Sequence, residues 1–226
     1  MKTVPTFKTG TLCQYQTVAD HIEADSVVHL AVLDKYPLMP IRFRRPSPHR
    51  LRALIEHGAT DSLTYGPVGI TALAEPPNGY RLDRWSRTIG HGDEVFDYAR
   101  DALRHWRVHT GAGLVVEAEG PPSEGAVVAM AAPLPIGFIE VVCRVVEVVD
   151  QPDRAGFVYG TLTNHPEQGE ESFMATRADD GVVNFDIVAV SRPRQMLARA
   201  LPPVARRLQI AATNRYFDAM TSAVER

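Results

Sequence analysis

The chain has 226 residues, 45% of them hydrophobic and 23% charged, ordinary globular values that exclude a disordered, collagen-like or coiled-coil protein and allow one sizeable core. Lys and Arg number 24 against 27 Asp and Glu, a formal charge of -3, so the chain has none of the basic excess expected of a general nucleic-acid binder. Two cysteines, Cys13 and Cys143, stand far apart with no Cys-x-x-Cys spacing, which argues against a local zinc knot or redox pair.

Residues 1–41 read as an N-terminal extension, with a short apolar run from Val27 to Leu33 and a connector, Tyr36-Pro37-Leu38-Met39-Pro40, in which each proline holds the preceding residue extended. No apolar secretion core opens the chain, and no stretch approaches the roughly 20 apolar residues of a spanning helix, so the expectation is a cytoplasmic protein without a transmembrane helix. Residues 42–226 read as one domain. It begins with Arg42, Arg44, Arg45, Arg50 and Arg52 around Pro46-Ser47-Pro48. Ser47 suits the cap of a helix from Pro48 to His57 that stops at Gly58. The arginines could attract phosphates, or they could be the solvated entrance of that helix; no aromatic platform accompanies them, which favours the second.

Tyr80–Ile89 alternates imperfectly as a strand, and Gly90-His91-Gly92 then punctuates the chain. Asp93 is placed to cap a single helix whose apolar positions Val95, Phe96, Ala99, Leu103 and Trp106 recur at three and four and which ends by Gly111 or Gly113. Six strands follow, at 114–119, 126–131, 136–149, 156–162, 171–177 and 182–190. The turns between them are short and rich in turn formers, which favours hairpins and an antiparallel sheet. Helical sequence closes the chain from Arg194 to Arg226, interrupted at Pro202-Pro203, which suit the start of a helix. Val204, Leu208, Ala211, Ala212, Tyr216 and Ala219 fall on one stripe of it.

The expected fold is therefore α+β, a curved antiparallel sheet wrapped around a long C-terminal helix. In element order it is similar to the helix-grip proteins of the START and plant-pollen-allergen-like superfamily. That resemblance implies a hydrophobic pocket between sheet and final helix. A second resemblance rests on particular residues: Leu63-Thr64-Tyr65-Gly66-Pro67-Val68-Gly69, Gly90-His91-Gly92, the run Gly160-Thr161-Leu162-x-x-His165-Pro166-Glu167-x-Gly169-Glu170-Glu171-x-Phe173, and Ser191-Arg192-Pro193 followed by Arg206-Arg207-Leu208-Gln209. Over about residues 42–220 the chain resembles a bacterial and plant family known as a domain of unknown function. The resemblance implies domain limits and carries no reaction or substrate.

The densest polar constellation is His165, Glu167, Glu170 and Glu171. An imidazole and carboxylates in one turn suit general acid–base chemistry or a divalent metal, yet the spacing matches no metal motif, and consecutive strand residues diverge, which sends Glu170 and Glu171 to opposite faces. No metal and no cofactor are assigned. The alternative is a loop whose carboxylates accept backbone N–H groups or pair with arginine. Arg192 either anchors an anionic ligand group at the pocket mouth or pairs with one of these glutamates. Tyr159, from a strand, and Tyr216, from the gripping helix, supply phenols either to a ligand or to the core. His105 and His109 are an i, i+4 helical pair without the glutamate of a zinc protease, and Cys143 reads as core filler.

Three functions follow as expectations. The first is binding of a small apolar or amphipathic ligand between sheet and helix, positioned by Tyr159, Arg192 and Tyr216. The second is a hydrolase- or lyase-type enzyme using His165 or a glutamate, with or without metal. The third is an interaction or envelope-associated protein in which the arm 1–41 and the arginines bind a partner. No nucleic acid is among the expected partners, and oligomeric state is not encoded legibly.

Overall fold

The computed structural model describes residues 41–163, 165–194 and 202–225. The N-terminal arm 1–40, residues 195–201 of the expected last helix and the side chain of Val204 lie outside the described residues. In chain order come β1 (Ile41–Arg42), α1 (Pro48–Gly58), a single turn of tight helix at Ile70–Ala72, β2 (Arg81–His91), α2 (Asp93–Arg104) and α3 (Arg107–Gly111). Next are β3 (Val115–Ala118), β4 (Val127–Pro133), β5 (Phe138–Asp150), β6 (Arg154–Thr161), β7 (Glu167–Arg177), β8 (Val182–Pro193) and α4 (Pro202–Val224).

All strand pairs are antiparallel, in the order β2-β8-β7-β6-β5-β4-β3, with β1 paired to the start of β5. The connections from β3 through β8 are too short for crossover helices, which leaves hairpins as the only closure. Besides the short β1–β5 pair, one long-range pairing sets β2 against β8, Arg81 opposite Ser191, so the first long strand lies beside the last, at one edge of the sheet, with β3 at the other. Strand alternation then divides the residues. Phe157 and Tyr159 of β6, Phe173 and Ala175 of β7, and Phe185 and Ile187 of β8 face the concave side and form the main core with Phe217 and Met220 of α4. Each fully buried phenylalanine contributes about 2–3 kcal/mol.

The opposite face carries α1. Its Leu51, Leu54 and Ile55 pack on Ala129, Ala131, Val142 and Leu162. Ser47 caps it as the sequence implies, its hydroxyl accepting the Arg50 N–H at 3.3 Å, with Pro48 as the first helical residue. The arginine cluster is largely spent on structure. Arg50 and Arg42 both reach Glu140, which is only 2% exposed, and Arg52 pairs with Glu117.

Three local expectations need correction. The helix expected to run unbroken from Asp93 is two helices, because Trp106 sits in the left-handed region at φ 55. That conformation turns the ring inward, where the indole N–H donates to the Gly120 carbonyl at 3.0 Å and the ring meets Phe157. Asp93 is the first residue of α2, preceded by Gly92 as its cap, and its carboxylate pairs with Arg177. On α4 the buried side is Thr213, Tyr216, Phe217, Met220, Ala223 and Val224, while Ala211 is exposed. The whole is a curved antiparallel sheet gripping α4, the helix-grip arrangement.

Candidate functional site

The entry to β7 is shaped by Gly169, at φ 149, where a Cβ would stand 1.9 Å from the Val190 carbonyl oxygen. Only glycine fits there. On the same concave side β7 presents Glu167 and Glu171, and β8 presents Ser191 and Ala189 opposite Gly169 and Glu171. Tyr159 of β6 is the cross-strand partner of Glu171. These residues and α4 enclose a cavity of about 330 Å³. Leu114, Ala132, Leu134, Ile139 and Leu208 contribute apolar wall, and the small side chains of Ala189 and Ala212 leave it unfilled.

The polar groups of the cavity lie on the β6–β7–β8 side and the facing turn of α4. The Tyr159 hydroxyl donates to Glu171 Oε2 at 2.9 Å. Burial pushes the Glu171 carboxyl up to about 7; the negative charge of Glu167 adds to this and the Tyr159 hydrogen bond opposes it. Tyr159 and Tyr216 are both raised above the ordinary tyrosine value, chiefly by burial and then by the Glu171 charge. Both are therefore neutral donors at pH 7. Glu167 accepts the Ser191 hydroxyl at 2.8 Å. His165 Nδ1 lies 3.1 Å from the Glu167 backbone nitrogen and 3.0 Å from its carbonyl oxygen. Burial, with the nearby Arg194 charge, lowers its pKa to about 4 despite that backbone hydrogen bond, so the ring is neutral at pH 7.

Of the residues singled out in the sequence, Tyr159, His165, Glu167, Glu171 and Tyr216 come together around this cavity. Glu170 borders it only with its main chain, since its carboxylate turns to the outer face. There it accepts from the Tyr65 hydroxyl at 2.8 Å, the Gly69 N–H at 2.7 Å, and the Thr71 N–H and hydroxyl at 3.1 and 3.3 Å. Glu170 is thus the tie that fastens the 63–73 loop to the sheet. Gly160 makes room for that loop, as a Cβ would lie 2.2 Å from the Tyr65 oxygen. Arg192 is not among the described residues lining the cavity, and it pairs with neither Glu167 nor Glu170. It is exposed, with its guanidinium 4.7 Å above the Tyr80 ring. Its place follows from strand register, since it sits opposite Gln168 on the outward side. Among the described residues no three His, Cys, Asp or Glu side chains gather as a metal-binding group.

Sequence reasoning missed Ser191 as the partner of Glu167, and it weighed His109 only as half of an i, i+4 pair with His105, not as a buried ring. That ring is fully buried and has no hydrogen-bond partner at either nitrogen among the described residues. It lies among Trp106, Phe157, Tyr159, Phe173 and Tyr216, directly behind the two cavity tyrosines. Burial lowers its pKa to about 3. The register of a β6–β7 hairpin was a signal for the Tyr159–Glu171 pair; nothing local signalled His109, because its burial follows from the break at Trp106.

Among the described residues, no helix is long and apolar enough to cross a membrane. A UPF0548 protein from Deinococcus radiodurans is 29% identical over 184 residues, which cover 76% of this chain and 93% of that protein. A protein of unknown function from Staphylococcus aureus superposes with a TM-score of 0.46 at 11% identity, covering 66% of this chain and 96% of the other. Major latex-like protein 151 from Panax ginseng gives 0.41 at 11% identity, covering 61% and 95%. The family model described as Domain of unknown function (DUF1990) matches residues 64–219, well over half the length, and the chain belongs to that family.

Proposed function

We propose that the protein binds a small apolar or amphipathic molecule between the concave face of the sheet and α4, with the Tyr159 and Tyr216 phenols fixing its polar end. The observation that supports this is a cavity of about 330 Å³ with apolar walls and a polar cluster on one side, the size and lining expected of a small-molecule site. The reading also takes the protein to work in the cytoplasm and without nucleic acid, in keeping with a formal charge of -3. Native mass spectrometry of the full chain, as purified and after incubation with octanol, tests the binding. The expected result is one added organic mass per chain that disappears on denaturation. No increment in either sample overturns the reading.

One observation favours a second reading, acid–base catalysis: a carboxyl raised to about 7 and hydrogen-bonded to a phenol in an apolar cavity is matched to proton transfer at neutral pH. Glu171, rather than Glu170, would carry it, with His165 as a neutral ring at the same wall. A compound recovered from the protein unchanged supports binding; one released with altered mass supports catalysis.

A further inference from the structure

The cavity carries an imbalance of charge. Glu167 and Glu171 project from the same side of β7, with only the side-chain-less Gly169 on that side between them. Glu171 has one hydrogen-bond partner, the Tyr159 hydroxyl on Oε2, while Oε1 accepts no bond from the described residues. No ion pair reaches either carboxylate among the described residues: the arginines that form ion pairs use Asp83, Asp93, Asp101, Glu117, Glu140, Asp150 and Asp218. Arg215 borders the cavity from α4 and its charge acts on Tyr216, and it makes no ion pair with Glu167 or Glu171. His165 brings no positive charge at neutral pH.

Arg215 at the cavity wall and Arg194, whose charge acts on His165, form no ion pair with either glutamate among the described residues. Carboxylates left without a paired cation in an apolar cavity are complementary to a ligand that brings one. We propose that Glu171, flanked by the Tyr159 hydroxyl and by Glu167, seats the ammonium head of an amphipathic amine whose apolar body fills the rest of the cavity. The inference rests on the ligand-binding reading above and names the chemical class of the ligand. An ammonium supplies three donors. The free Oε1 of Glu171 is the acceptor for one, the Glu167 carboxylate is an acceptor on the same strand, and Leu114, Leu134 and Leu208 cover the hydrocarbon.

The charge state of Glu171 gives the proposal a second reading in solution. The groups facing it are Tyr159 on β6, Cys143 on β5, Tyr216 and Arg215 on α4, Glu167 on its own strand and His165 just before it. The two tyrosines and Cys143 are raised above their ordinary values, and His165 is lowered to about 4. None of these four titrates between pH 6 and pH 8, whereas Glu171 does. An alkylammonium stays charged throughout this range. Amine affinity should therefore rise with pH as the carboxyl loses its proton.

Isothermal titration calorimetry of the full chain with octylamine, octanol and octanoate tests this. At pH 8 octylamine should bind about tenfold more tightly than octanol, with octanoate weakest. The octylamine preference should shrink about tenfold at pH 6, and Glu171→Gln should bring octylamine down to the affinity of octanol. Octanol binding as well as octylamine in the wild-type chain at pH 8, or a preference that Glu171→Gln leaves intact, overturns the amine assignment while the cavity reading stands. Binding by none of the three compounds overturns the cavity reading itself. The pH arm uses the unaltered protein and decides the matter even where the variant folds poorly.

Discussion

Two adjacent glutamates meet opposite fates because a strand sends consecutive side chains to opposite faces. Glu170 is 2% exposed and saturated by donors from the 63–73 loop; Glu171 faces the cavity with one hydrogen-bond donor among the described residues, the Tyr159 phenol. Glu170→Gln puts an amide N–H₂ among groups that are themselves donors, so it should cost about 2–4 kcal/mol in urea unfolding. Glu171→Gln should instead raise stability at pH 8, since it removes a carboxylate whose ionised form burial disfavours. Equal losses for both variants would show that the two carboxylates share one environment. The divergence of this pair was legible in the sequence. The partners of Glu170 were not, because Tyr65, Gly69 and Thr71 lie about a hundred positions upstream on a loop without periodic pattern. Arg192 was misjudged for a related reason: its side of the sheet depends on the register of β8 against β7, which its place in the sequence does not reveal.

At the scale of elements, hydrophobic periodicity and turn chemistry made the strands from β3 to β8, α1 and the start of α4 at Pro202 readable. The break between α2 and α3 was not readable, since tryptophan has no local preference for a left-handed backbone. The tertiary gain from burying its ring against Phe157, with its N–H on Gly120, outweighs the local cost. The consequence reaches the site, because the break separates the exposed His105 from the buried His109, which would otherwise share one helical face. If the ring holds the break, Trp106→Ala should cost about 3–5 kcal/mol. A loss below about 1 kcal/mol in chemical denaturation would mean that the break is set by the flanking helices. The meeting of Tyr159 with Tyr216 was legible only through the expectation that the sheet closes on the last helix.

The whole molecule carries opposing proton linkages. His109 and His165 are lowered to about 3 and 4 in the fold, so the stability tied to their neutral rings is complete above the unfolded value near 6.5 and declines as the pH falls toward their folded values. Glu171 is raised to about 7; its contribution is complete below about 4.5 and is lost as the pH rises through 7. Between pH 6 and pH 5 two protons taken up on unfolding are set against one released. These three groups should therefore make stability fall by about 1.4 kcal/mol per pH unit on acidification in that interval. His109→Leu should bring their combined slope close to zero, as read from urea midpoints at pH 7, 6 and 5. An unchanged slope would remove the buried neutral imidazole from the account.

The central claim is that the space between the sheet and α4 receives a ligand, and the most direct test is to close that space. Ala212 borders the cavity from α4, and a phenylalanine there would occupy its volume. Fluorescence titration with N-phenyl-naphthylamine should show one site per chain in the wild-type protein. In Ala212→Phe the affinity should be at least about tenfold weaker, with an unfolding midpoint close to that of the wild type. Equal binding by both proteins, or no binding by the wild type, would contradict the claim.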